Sequence, residues 1–246
     1  MAIPTTAGSG AEVTENAVIY VGKIKYSVEG HLLKPDYFFL VPEFVVKASK
    51  PIKSSSGFDC ISQSMESLIS KKSSQVSLKY AKKSLSLSLE SFLSFLNKPN
   101  KNNSINMSLA ANLSGKAISI SKTTGPHAIS YPFTAHYGIS HGHAVSLTLE
   151  KFLKFNFKNI KYSRCNFDLK KRYDLLFKLT KTKNIDELCK FIKTIKKLAK
   201  LECNFSKLGI DIEAASSKII SEVNSERLSN NPVEIKNGDL RNILIS

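Results

Sequence analysis

Strand-like runs are confined to the first 45 residues of this 246-residue chain, and from about residue 46 the pattern is helical. Ala17-Val18-Ile19-Tyr20-Val21 is a short β-branched run. Tyr37-Phe38-Phe39-Leu40-Val41 reads as a second, buried strand stopped by Pro42, with a hairpin or loop over 23–34 between them. Two strands do not make a stable sheet alone, so they need a partner that the chain does not obviously supply. The helices expected are 58–70, 76–95, 107–122, 168–180, 186–201, 212–224 and a short 238–244. The first starts after Ser54-Ser55-Ser56-Gly57 and carries Ile61, Met65, Leu68 and Ile69 on one stripe. Leu85, Leu87 and Leu89 alternate in a way that also suits a strand, and 97–103 reads as a loop. No internal repeat interrupts the series.

Apolar residues make up 42% and charged residues 23%, which is ordinary globular usage. The net charge of +16 raises nucleic acid or an anionic membrane as partners. The kind of charge argues against both. Arginine stands only at 164, 172, 227 and 241, whereas phosphate-clamping and base-reading sites rely on arginine forks. Residues 151–207 hold seventeen Lys/Arg against five Asp/Glu, spread over every helix there, which favours solvated faces over one polyanion-binding surface. Cys60, Cys165, Cys189 and Cys203 lack C-x-x-C spacing and read as free thiols in a reducing compartment. With no signal core and no spanning apolar run, the expected location is the cytoplasm.

Four of the five histidines, His127, His136, His141 and His143, fall within residues 125–146; His31 lies elsewhere. Imidazole is the commonest side-chain metal ligand, so a loop this dense in it is a candidate metal site. The alternative is a histidine-rich loop without a ligand. A loop alone gives too few ligands. The second source is the helix opening at Gly57-Phe58-Asp59: Asp59 and Gln63 are four apart and project from one face. Oxygen and imidazole ligands with an open position suit a catalytic Fe(II) or Zn(II). Asp59 alone would more often be a helix N-cap. Near the N-terminus, Gly8-Ser9-Gly10 can approach a ligand closely, flanked by the hydroxyls of Thr5, Thr6 and Thr14.

These residues carry a resemblance. Pro4-Thr5-Thr6-Ala7-Gly8-Ser9-Gly10-Ala11-Glu12-Val13-Thr14 resembles the cofactor-side loop of the iron-containing (group III) alcohol dehydrogenases. Gly57-Phe58-Asp59 through Glu66 resembles that family's first metal motif, and His127 with His141-Gly142 its second. The three stand in the family's order and cover nearly the whole chain, most weakly after residue 155. The resemblance implies that Asp59, Gln63, His127 and His141 hold Fe(2+), with Zn(2+) as the alternative. It implies that Thr5, Thr6, Ser9 and Lys25 bind NAD or NADP. Many members have histidine where Gln63 stands, and some have another where Tyr131 stands. His143 is either a proton relay or a hydrogen-bonded structural residue, and His136 reads as structural.

The implied fold is mostly α: an all-helical metal-binding domain over 46–246, preceded over 1–45 by a two-strand remnant of an α/β dinucleotide-binding domain. The family's Gly-Gly-Gly-Ser pyrophosphate turn does not occur here, and no Gly-Gly occurs at all. The chain therefore reads as truncated at its N-terminus: a fragment, the product of a split or internally started gene, or half of a two-chain enzyme. The implied activity is reversible hydride transfer between NAD(P) and a small alcohol or aldehyde. Its expected partners are that substrate and a separate N-terminal half, with no nucleic acid and no membrane, in a homo-oligomer. The Gln63 variant and the Asn230-Asn231-Pro232 tail resemble a phosphonoacetaldehyde-reductase-like subgroup. Two rivals stand beside this reading. One is a non-catalytic helical metal- or partner-binding fragment. The other is a relative of the dehydroquinate synthase type, against which the Asp59/Gln63 pair argues.

Overall fold

The computed structural model describes residues 1–22 and 24–245; the side chains of Tyr20, Ile24 and Lys25 lie outside the described set. Two antiparallel strands, β1 (Asn16–Val21) and β2 (Ile24–Glu29), pair from Asn16 opposite Glu29 to Val21 opposite Ile24. The second strand therefore lies in the segment expected as a hairpin or loop. The expected buried strand at 37–41 does not form: Phe38 makes one parallel bridge to Ala2, while Tyr37 and Phe39 are exposed. Aromatic residues gave 37–41 the look of a core strand, but among the described residues no second strand is placed to cover them.

Helices follow: α1 (Pro42–Val46), α2 (Lys50–Ile69), α3 (Gln75–Asn97), α4 (Lys101–Ser121), α5 (Gly125–Tyr137), α6 (His141–Ser146) and α7 (Leu149–Lys158). Then come α8 (Leu169–Thr180), α9 (Ile185–Leu198), α10 (Ile212–Ser221), α11 (Ser225–Ser229) and α12 (Asn237–Ile245). The mostly helical expectation holds. Helix α7 was not foreseen, and the expected loop at 97–103 shrinks to a turn. Reciprocal Asn100–Asn103 side-chain bonds to backbone N–H groups start α4 there.

Helix α2 lies at the centre, packed against α3, α4, α6 and α8. From Lys53 to Ile69 every residue but Ser56 is buried. A helix covered on all sides meets most of its polar groups with partners inside the protein rather than with water. Ser62 Oγ donates to the Phe58 carbonyl (2.9 Å) and Ser64 Oγ to the Cys60 carbonyl (2.8 Å). Gly57 allows the tight crossing with α3, since a Cβ there would lie 2.5 Å from the Phe92 ring. The main core gathers Phe58, Met65, Leu85, Phe92, Tyr173 and Ile192; a second, around Ile129, Phe133, Phe152 and Leu244, lies beneath α5 and α12.

The lysines of 151–207 mostly face solvent, with one exception. Lys196 is fully buried, and its Nζ donates to both Glu150 carboxylate oxygens (2.8 Å each) and to the Ser146 carbonyl (2.9 Å). No helix among the described residues is long and apolar enough to cross a membrane.

Candidate metal centre and cavity

Residues 125–146 are helical rather than a loop. Pro126 sits in the first turn of α5, where a missing N–H costs nothing. Gly138 ends α5 with φ 65°, a left-handed conformation that glycine adopts freely, and α6 begins three residues later at His141. Both site histidines thus stand in first turns. Pro132 inside α5 leaves the Ala128 carbonyl without its usual donor, and Asn224 N fills the place at 3.3 Å.

Gly142 seats α6 on α2. A Cβ there would lie 2.0 Å from the Ser55 carbonyl oxygen and 2.8 Å from Asp59 Cβ. Gly142→Ala should lever α6 away, with a loss of about 1–3 kcal/mol in denaturant unfolding and weaker metal binding, because His141 moves with α6.

Asp59, His127 and His141 come together. His127 Nε2 lies 3.2 Å and His141 Nε2 3.9 Å from Asp59 Oδ1, with the two rings edge to face at 5.3 Å. One candidate ligand atom from each falls within 4.8 Å of the others. Two ligands about 2.1 Å from one ion stand no more than about 4.2 Å apart, so the trio needs at most a small contraction to share a cation. A carboxylate oxygen and two imidazole nitrogens fit a divalent transition metal.

Gln63 is the neighbour that does not yet face inward. Its Nε2 donates to Asp59 Oδ2 (3.1 Å), while its Oε1 accepts from Ser114 Oγ (3.0 Å). Ligation through the oxygen requires the amide to turn over, after which Nε2 would face the Ser114 hydroxyl.

Glu66 stands one further turn along the same face, and residue-by-residue reading gave it no role. Its Oε1 lies 2.5 Å from His127 Nδ1, and its Oε2 accepts from Thr124 N (2.7 Å) and Thr124 Oγ1 (2.8 Å). The carboxylate therefore caps the start of α5 and holds the His127 ring with Nε2 toward Asp59. The seven-residue spacing from Asp59 was the available signal. Burial opposes charge on His127, but Glu66 and Asp59 outweigh it and raise the pKa to about 9. A metal must displace that proton. Glu66→Gln should keep the fold and lower metal affinity roughly 10–100-fold, as read by competition with a chelating dye.

The other histidines are hydrogen-bonded outside the trio. His136 Nε2 pairs with Glu222 (2.6 Å), and His143 Nε2 donates to the Glu202 carbonyl (2.7 Å), the contact expected of a hydrogen-bonded His143. His31 pairs with Glu15 at 3.1 Å.

A cavity of about 640 Å³ opens over the trio, lined also by Ser9, Tyr131 and Arg227. Thr5 and Thr6 are exposed and outside that lining; Lys25 stands on β2, and its side chain lies outside the described residues. Gly8 and Gly10 approach helices rather than a ligand. A Cβ on Gly8 would lie 2.7 Å from the Ser56 carbonyl oxygen, and one on Gly10 would lie 2.4 Å from that of Ala111.

Residues 53–246 match the C-terminal part of the Fe-containing alcohol dehydrogenase family. The chain belongs to that family. It is 32% identical over 159 residues to a phosphonoacetaldehyde reductase of Streptomyces viridochromogenes, covering 63% of this chain and 40% of the relative. It is 31% identical over 159 residues to a 1-propanol dehydrogenase of Salmonella typhimurium, covering 63% and 43%. A sulfoacetaldehyde reductase from Bifidobacterium kashiwanohense, solved in complex with NAD+, superposes with a TM-score of 0.86 at 26% identity, over 99% of this chain and 63% of that one. The chain thus spans about two fifths of the length of these curated relatives.

Proposed function

We propose that this chain provides the metal-binding part of an NAD(P)-dependent alcohol dehydrogenase or aldehyde reductase. The observation that carries the reading is the convergence of Asp59, His127 and His141 beneath a cavity, in a member of an iron-dependent family. Asp59, His127 and His141, with Gln63 after its amide turns, would hold Fe(2+), with Zn(2+) as the alternative. The ion supplies Lewis-acid polarisation of the alcohol or carbonyl oxygen. Glu66 orients His127, Ser114 holds Gln63, and Tyr131 closes one wall beside His141, their ring centroids 6.3 Å apart. Burial of Asp59 and His127 keeps bulk water from competing at that end of the cavity.

Ser9 at the cavity wall, with Thr5, Thr6 and Lys25, is proposed to meet the nicotinamide end of NAD or NADP. The two relatives that act on phosphono- and sulfoacetaldehyde suggest a short aldehyde bearing an acid group as substrate. The remaining nucleotide contacts would come from an α/β unit, as further polypeptide or a separate half. Val18, Ile19, Val21, Tyr26 and Val28 leave the hairpin apolar and exposed for such a unit to cover. The test is iron content together with NADH oxidation by short aldehydes, with and without an added nucleotide-binding half. Stoichiometric iron and aldehyde-dependent oxidation, alone or on mixing, are expected. Absence of iron, or iron without turnover even after mixing, would overturn the reading.

A further inference from the structure

The charges that line the cavity over the trio are unevenly paired. Apart from Asp59, its wall holds the carboxylates Glu15 and Glu29 and the cations Lys34, Lys122 and Arg227. Glu15 is met by Lys34 at 3.9 Å and by His31, and Glu29 by Lys122 at 2.9 Å. Among the described residues no carboxylate lies within ion-pair distance of Arg227, although Glu29 feels its charge. Its guanidinium donates instead to two neutral hydroxyls, Thr123 Oγ1 at 2.6 Å and Ser27 Oγ at 3.4 Å.

The chain's usage sharpens the point. Thirty-two of its thirty-six basic residues are lysine, so an arginine half-buried in this cavity is unusual here. Arginine differs from lysine in offering a planar fork that grips a tetrahedral oxyanion through two bonds.

The scaffold also fixes Arg227 in place. Pro132 frees the Ala128 carbonyl, Asn224 N takes it, and the Asn224 side chain then caps α11 by accepting from Arg227 N at 2.8 Å. The guanidinium carbon sits 5.8 Å from the Tyr131 ring centroid, and Tyr131 in turn stands beside the metal-candidate ligand His141. From the candidate metal outward the cavity therefore runs through His141 and Tyr131 to an arginine with no carboxylate at ion-pair distance among the described residues.

We infer that Arg227, with the Thr123 hydroxyl beside it, is the specificity-determining anchor for the phosphonate or sulfonate group of a short substrate whose oxygen-bearing carbon faces the trio. This rests on the metal-site reading above for the second end of the substrate, but not for the first. Because the Arg227 charge contacts only the acid group, it should leave neutral alcohols indifferent. Loss of a charged hydrogen-bond pair of this kind corresponds to roughly 10- to 100-fold in affinity.

The test is calorimetric titration of the zinc-loaded full chain with 2-hydroxyethylphosphonate, 2-hydroxyethylsulfonate and 1-propanol. The wild type should bind the two acid-bearing alcohols at least about tenfold more tightly than 1-propanol. Arg227→Gln should lose roughly 10- to 100-fold for the acids, with 1-propanol binding and zinc content unchanged. Arg227→Lys should recover part of the loss, since a point charge remains without the fork. On the wild type, 2-hydroxyethylphosphonate should protect Arg227 from phenylglyoxal modification and 1-propanol should not, a readout that does not depend on any variant folding. Equal losses for acid and neutral ligands in Arg227→Gln, or no protection, would overturn the inference. Failure to take up zinc while Arg227-dependent phosphonate binding persists would sink the metal reading and leave this one standing.

Discussion

Asp59→Ala is expected to abolish stoichiometric metal binding while leaving a folded helical chain. The carboxylate is shared by both imidazoles, with Nε2 of His127 at 3.2 Å and that of His141 at 3.9 Å from the same oxygen. Removing it leaves two imidazoles and an amide whose oxygen faces Ser114. The loss should exceed the roughly 10–100-fold given to Glu66→Gln, because Asp59 would touch the ion and Glu66 acts only through His127. The fold should survive, since the alanine methyl fits the space of the Asp59 Cβ and the main core packs on other faces of α2. Metal content by atomic emission and helicity by circular dichroism check both halves. Metal retained at one per chain in Asp59→Ala would place the site elsewhere.

Lys196→Met is expected to destabilise the chain by about 3–5 kcal/mol, because it leaves the Glu150 carboxylate buried without its counter-charge. Both groups are almost fully buried, and the ammonium's three donors are matched by two carboxylate oxygens and the Ser146 carbonyl. The pair ties α9 to α7 and to the last residue of α6, the helix that begins with His141. Glu150→Leu combined with Lys196→Met should recover most of the loss, because a charge-free pair of similar volume avoids both desolvation costs. Denaturant unfolding of the single and double variants measures this. A single variant within about 1 kcal/mol of wild type would show that the ion pair is not isolated from water.

Much of this was legible in the sequence. The split between a strand-bearing start and a helical remainder followed from periodicity, and clustered histidines with Asp59 pointed to the side chains that converge as a candidate site. The misreadings have physical causes. Ser54-Ser55-Ser56-Gly57 looked like a break before a helix, yet α2 begins earlier at Lys50: serine is small enough to be buried where helices cross, Ser55 Oγ accepts from His143 N of α6, and Gly57 makes room for Phe92. Residues 125–146 looked like a loop for their Gly, Pro and Ser, but Pro126 suits a first turn and Gly138 a helix end. Tertiary bonds absorbed the cost of Pro132, and no local pattern reveals those. Glu66 and Arg227 act through partners 61 and 104 residues away, His127 and Thr123, so pattern reading along the chain had no view of either role. Lys196, one lysine among many in its segment, is separated from the rest only by the burial that packing imposes.

The most direct measurement is X-ray absorption at the zinc edge of the zinc-loaded chain. A shared centre predicts a first shell at about 2.0–2.2 Å with two imidazole scattering patterns and light oxygen donors, reduced to weak or absent zinc in Asp59→Ala. A zinc shell of water oxygens without imidazole signals, or one unchanged by Asp59→Ala, would contradict the convergence of α2, α5 and α6 on a single cation.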